Sequence, residues 1–118
     1  MKKFYLRSIL MTWNIKDSND NTALILTTLK GHFKLVKYLH ENGADLNAKG
    51  ENNATALTWA SQQGHFEMVK YFLENGADSN AMDKDNNKAV TFASQNGHLE
   101  IFKFSAFQAV ADNIYYVY

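Results

Sequence analysis

The sequence predicts an all-α solenoid of short stacked helix pairs, on three observations. Gly31-His32-Phe33, Gly64-His65-Phe66 and Gly97-His98-Leu99 recur every 33 residues. Asn42-Gly43-Ala44-Asp45 returns as Asn75-Gly76-Ala77-Asp78, and Asn14, Asn47, Asn80 and Asn113 keep the same interval. The clearest period holds two short apolar runs at helical spacing, each followed by a glycine able to adopt the left-handed conformation that ends a helix. A unit this small cannot bury its own apolar face, so neighbours must stack, and about three are needed for stability. The alignment supplies three, at roughly 20–52, 53–85 and a degenerate 86–118, after a partial unit 1–19. All fall within a single domain, 1–118.

Residues 1–14 align with 34–47, so the chain opens inside what would be an earlier unit's second helix. Phe4, Tyr5, Leu6, Ile9 and Leu10 are expected to cover the open face of the first unit. In the middle unit, Thr55 is a good N-cap for a helix running to Gln63, carrying Leu57, Trp59, Ala60 and Ser61. Gly64 ends it, and a second helix follows from about Phe66 to Glu74, with Phe66, Met68, Val69, Phe72 and Leu73 as its apolar side. Asn75-Gly76 stops that helix, and the polar stretch 78–87 turns the chain back. Thr22 repeats the cap in the first unit. Lys88 replaces it in the third, a loss of about 1 kcal/mol. Ser105 stands where Leu39 and Phe72 stand, and Ala109 replaces the helix-ending glycine. The tail of Ile114, Tyr115, Tyr116, Val117 and Tyr118 is uncharged and prone to strand pairing, which predicts self-association or folding back as a cap.

The middle unit, Asn53 through Thr55-Ala56-Leu57-Thr58, Gly64-His65 and Asn75-Gly76-Ala77-Asp78 to Asn80, resembles an ankyrin repeat at nearly every position. The flanking units resemble it less closely. The resemblance implies two antiparallel helices and a projecting β-turn finger per repeat. It also implies a concave surface of finger tips and first-helix ends that holds a partner protein, as an adaptor, inhibitor or effector would. At the family's variable positions this surface carries Ser18, Asn19, Asn21, Glu51, Asn52, Ala54, Lys84, Asp85 and Asn87. The helix ends add Leu29, Lys30, Gln62, Gln63, Gln95 and Asn96. The set is amide-rich and nearly neutral, a hydrogen-bonding footprint. The family's Thr-Pro-Leu-His opening is altered, because the chain has no proline. Thr58 and Thr91 are expected to substitute in part for the motif's histidine, which bonds between repeats. Asp20, Asn53 and Asn86 replace the fingertip glycine, side chains that tolerate positive φ. Asn47 and Asn80 match a turn asparagine that some ankyrin proteins offer to an asparaginyl hydroxylase; its ordinary role is to hydrogen-bond across the turn.

Composition excludes other classes. Twelve basic residues balance twelve acidic ones, against the basic excess of a nucleic-acid or anionic-membrane surface. With no cysteine there is no disulfide or thiolate metal site. No run approaches the roughly 20 apolar residues of a membrane span. Arg7 interrupts the first apolar run and no cleavage site follows, so an intracellular location is expected. His32, His65 and His98 form a ladder about 10 Å apart at helix-packing distance. That spacing suits turn residues at helix starts, not a tetrahedral zinc site. Trp59 and Phe92 share the register of Leu26 and are expected to be mainly core, with groove lining as the alternative. Glu67 and Glu100 can pair with Lys70 and Lys103 on the second helices. No phosphate loop or nucleophile motif is present, and neither catalysis nor a cofactor or metal is expected. The alternative function is a structural or self-associating segment of a longer array, joined through apolar ends.

Overall fold

A computed structural model describes the backbone of residues 13–117 and the side chains of residues 13–112. Six α-helices follow one another among the described residues: α1 (Ala23–Leu29), α2 (Phe33–Glu41), α3 (Ala56–Gln63), α4 (Phe66–Glu74), α5 (Ala89–Gln95) and α6 (Leu99–Val117). A single 3₁₀ turn, Glu51–Asn53, precedes α3. Successive helices pair within a unit, α1 packs on α3, α3 on α5 and α4 on α6. The result is the all-α stack the sequence predicts. The expected N-terminal cap of Phe4, Tyr5, Leu6, Ile9 and Leu10 lies outside the described residues.

Local chemistry sets the helix ends. Thr22 Oγ1 accepts from the Ile25 N–H at 3.3 Å and Thr55 Oγ1 from the Thr58 N–H at 3.4 Å. Lys88 makes no such bond at the start of α5. Gly64 closes α3 in the left-handed conformation at φ +83°. Among the described residues, Thr58 makes no bond between units in place of the motif's histidine. Its hydroxyl donates to the Thr55 carbonyl at 2.6 Å, because that acceptor lies one turn back on its own helix. Nor do Glu67 and Glu100 close on Lys70 and Lys103; the ion pair found among the described residues is Lys16–Asp20 at 3.5 Å. Exposed pairs gain little in water, so solvation of both partners competes well.

The core runs without a break through all three units: Leu24, Ile25, Val36 and Leu39, then Leu57, Met68, Val69 and Phe72, then Ala89, Ala93 and Ile101. Alanines at 56, 60, 89 and 93 are buried on the first helices and let those helices approach closely. The Gly-His markers are contacts between units. A Cβ on Gly31 would lie 3.2 Å from His65 Cε1, and one on Gly64 would lie 2.7 Å from His98 Cε1. Each glycine thus leaves the room that the next unit's histidine fills. His32 and His65 sit at the N-caps of α2 and α4, the turn position expected of them.

The repeating asparagines clip one unit to the next rather than bonding across their own turns. Asn14 accepts from the Asp45 N–H at 2.8 Å and donates to the Gly43 carbonyl at 3.3 Å. Asn47 does the same with Asp78 at 2.8 Å and Gly76 at 3.2 Å. Asn80 has no equivalent turn to grip, since Ala109 lies inside α6, and instead accepts from Lys88 Nζ at 3.4 Å. The tail's strand-pairing tendency does not set its backbone. With Ala109 in place of glycine, α6 runs for 19 residues where α2 and α4 have nine. The backbone of residues 114–117 is therefore helical. Asp112 anchors this extension by accepting from Ser79 Oγ at 2.9 Å and Gln108 Nε2 at 3.0 Å.

Candidate protein-binding surface

Three loops project beside the first helices, and each is shaped by a tight turn. In the first, Asp17 Oδ1 accepts the N–H groups of Asn19 and Asn21, both at 2.9 Å, and Asp20 takes φ +68°. The third repeats this: Asp83 Oδ1 accepts from Asp85 and Asn87 at 2.9 Å, with Asn86 at φ +64°. Burial pushes the Asp83 carboxyl up, but these hydrogen bonds and the nearby Lys84 charge outweigh it and hold the group below its ordinary value. The second loop has Gly50 in the aspartate's place, and Asn52 and Asn53 both adopt positive φ, 60° and 61°.

Gly50 is required there because Asn21 from the first loop occupies the space. A Cβ on Gly50 would collide with Asn21 Oδ1, which accepts from the Glu51 N–H at 3.0 Å. The Lys84 N–H reaches the Asn52 carbonyl at 2.9 Å. Lys16 Nζ donates to the Lys49 carbonyl at 2.7 Å and Lys49 Nζ to the Met82 carbonyl at 3.1 Å. The fingers are therefore stitched into one row.

Between the second and third fingers lies a pocket of about 200 Å³, lined by Asn52, Ala54, Thr58, Trp59, Gln62, Asp83, Asp85, Asn87 and Phe92. A match to a family model described as ankyrin repeats in three copies covers residues 5–83 and again 49–106. The chain belongs to the ankyrin-repeat family. The comparison with curated proteins yields no match. Ankyrin repeats are in general protein–protein interaction modules.

In this ankyrin-repeat chain the pocket gathers five residues of the sequence-derived surface: Asn52, Ala54, Gln62, Asp85 and Asn87. Ser18, Asn19, Lys30, Glu51, Gln63, Lys84 and Gln95 are exposed elsewhere on finger tips and first-helix ends, and Leu29 is half-buried. Asn96 is exposed but donates to the Gln62 carbonyl at 3.2 Å, beside His98 Nε2 at 3.1 Å. Asn21 is a correction. It is 4 % exposed and its amide oxygen is spent on the second finger, so it shapes the surface rather than presenting a contact. Ala54 is likewise 4 % exposed and only lines the pocket.

Sequence reasoning left Thr58, Trp59, Asp83 and Phe92 out of the surface. Trp59 packs partly against the core and also walls the pocket, while Phe92 is half-buried and walls it from the next unit. The readable signal was an aromatic in two consecutive units where the first has Leu26. Among the described residues, no three of His, Asp and Glu are grouped to hold a metal ion. No described helix is long and apolar enough to cross a membrane.

Proposed function

We propose that the chain is a non-catalytic adaptor, inhibitor or effector module that holds a partner protein against the concave face of its fingers and first helices. The observation that carries this reading is the pocket between the second and third fingers, where two half-buried aromatics meet amides and carboxylates. Rigid aromatic walls ringed by polar groups are the composition of an interface anchor point. The test is calorimetry with a captured partner, comparing the chain with the variant Asn52→Ala/Gln62→Ala/Asp85→Asn, whose three positions are exposed. A loss of about tenfold or more in affinity, with unchanged circular dichroism, is expected. Equal affinity would overturn the groove reading.

A second reading, self-association through an apolar end, is favoured by the last unit. Leu99 is 59 % and Phe102 40 % exposed, at the positions of Phe66 and Val69, and they line a cleft of about 210 Å³ with His98 and Gly97. Among the described residues nothing lies within 4 Å of where a Gly97 Cβ would be, whereas a histidine fills that place at Gly31 and Gly64. The occupant in this reading is a second copy of the chain. Light scattering on the full chain, on Phe102→Glu and on a version ending at Asn113 decides it. Oligomers dispersed by either change support it, and a monomer throughout sinks it.

A further inference from the structure

We infer that the pocket between the second and third fingers receives an arginine side chain of the partner. This rests on the groove reading and adds what the groove selects. Trp59 of α3 and Phe92 of α5 line the pocket together with Asp83 and Asp85, with no lysine or arginine among the lining residues. Formal charge is zero over the whole chain, so this is a local negative excess.

The two carboxylates are not equivalent. Asp83 Oδ1 already accepts two backbone N–H groups, so it supplies charge while holding the turn. Asp85 is exposed, and no salt bridge to it forms among the described residues, which leaves its oxygens for a ligand. Lys84 lies between them in sequence but does not line the pocket. The volume, about 200 Å³, is roughly that of six or seven waters: room for one long side chain, not for a helix. An apolar side chain would strip water from the carboxylates without replacing its hydrogen bonds, and an acidic one would be repelled.

Guanidinium matches every surface present. It is flat and weakly hydrated, stacks on aromatic faces, and offers paired N–H donors to a carboxylate and to the amide oxygens of Gln62 and Asn87. A lysine ammonium is compact and strongly hydrated, and fits the aromatic walls less well. The register makes this a single subsite. One period earlier, Gly50 and Asn52 stand where Asp83 and Asp85 stand, and Leu26 stands where Trp59 does. The gap between the first two fingers therefore lacks both charges and one aromatic wall.

The test is an NMR titration of the full chain with the peptide acetyl-Gly-Arg-Gly-amide, and with its lysine and citrulline counterparts. Citrulline keeps the shape of arginine and removes the charge. The expected result is that the Trp59 indole resonance, identified by its loss in Trp59→Phe, moves together with the Asp85 and Asn87 amides. Citrulline in place of arginine, or Asp85→Asn in the chain, weakens binding by about tenfold or more. No movement at millimolar peptide, movement elsewhere on the chain, or equal binding of the citrulline or lysine peptide overturns the inference. A partner that responds to the groove substitutions while the arginine peptide moves nothing would sink the arginine subsite alone. Arginine-dependent shifts in a chain whose partner ignores those substitutions would sink the groove reading instead.

Discussion

Gly64 and Gly97 occupy the same place in successive units with similar positive φ, +83° and +71°, yet only Gly64 has a histidine ring against it. Alanine at Gly97 therefore meets a backbone penalty alone, about 1–2 kcal/mol. At Gly64 it must also displace His98 and break that ring's bond to the Gln62 carbonyl. Urea unfolding of the two variants should show Gly64→Ala the weaker by a further 1 kcal/mol or so. Equal losses would mean that the ring moves aside freely. Asp83 gives a second prediction. Its carboxyl is held below the ordinary value, so its contribution is fully present above the unfolded-state pKa. That contribution is lost as pH falls through the lower, folded-state pKa. Urea midpoints of the native chain and of Asp83→Ala should differ at neutral pH and converge in acid. Several residues at this scale were legible from sequence because their chemistry is local: the Thr22 and Thr55 caps, and Asp20, Asn53 and Asn86 at positive φ. Asn21 and Thr58 were not. Asn21 has its partner 30 residues away on the next finger, while Thr58 chose a carbonyl within its own turn over a distant one.

At the scale of elements, the length of α6 is the clearest case of a missing signal. Asn42-Gly43 and Asn75-Gly76 stop α2 and α4, whereas Gln108 and Ala109 are both sound helix formers and carry the helix onward. The tyrosines and valine of the tail favour strands in isolation, but extending an existing helix needs no new nucleus. Local preference was read correctly and then overridden by the element before it. The double variant Gln108→Asn/Ala109→Gly should end α6 near Phe107 and lower the far-UV helical signal by about ten residues' worth. An unchanged spectrum would show that the Ser79–Asp112 bond holds the extension without help from helix propensity. The α1, α3 and α5 starts were legible because each begins at an interrupted polar stretch. Groove lining by Trp59 was legible only as an alternative to core, because a register position on a short helix does not say whether the neighbouring finger leaves a gap beside it.

For the molecule as a whole, the buried apolar residues form one continuous cluster, with Phe72 at 0 % exposure near the middle. Stability in such an array is a sum of unit and nearest-neighbour terms, so the unit with two described neighbours is held most strongly. Amide exchange should be slowest in α3 and α4, intermediate in α1 and α2, and fastest in the last two turns of α6. A uniform rate across the helices would instead indicate one all-or-none opening. The 33-residue repeat made the stacking legible, whereas the pocket arises from how adjacent fingers space themselves and leaves no mark in any one unit. The glycine–histidine fit has a further consequence for how such a chain can lengthen or shorten. Half of each contact is written in one unit and half in the next, always at the same interval. Whole periods can be duplicated or excised with every junction still complementary, whereas a cut anywhere else strands a histidine without its notch.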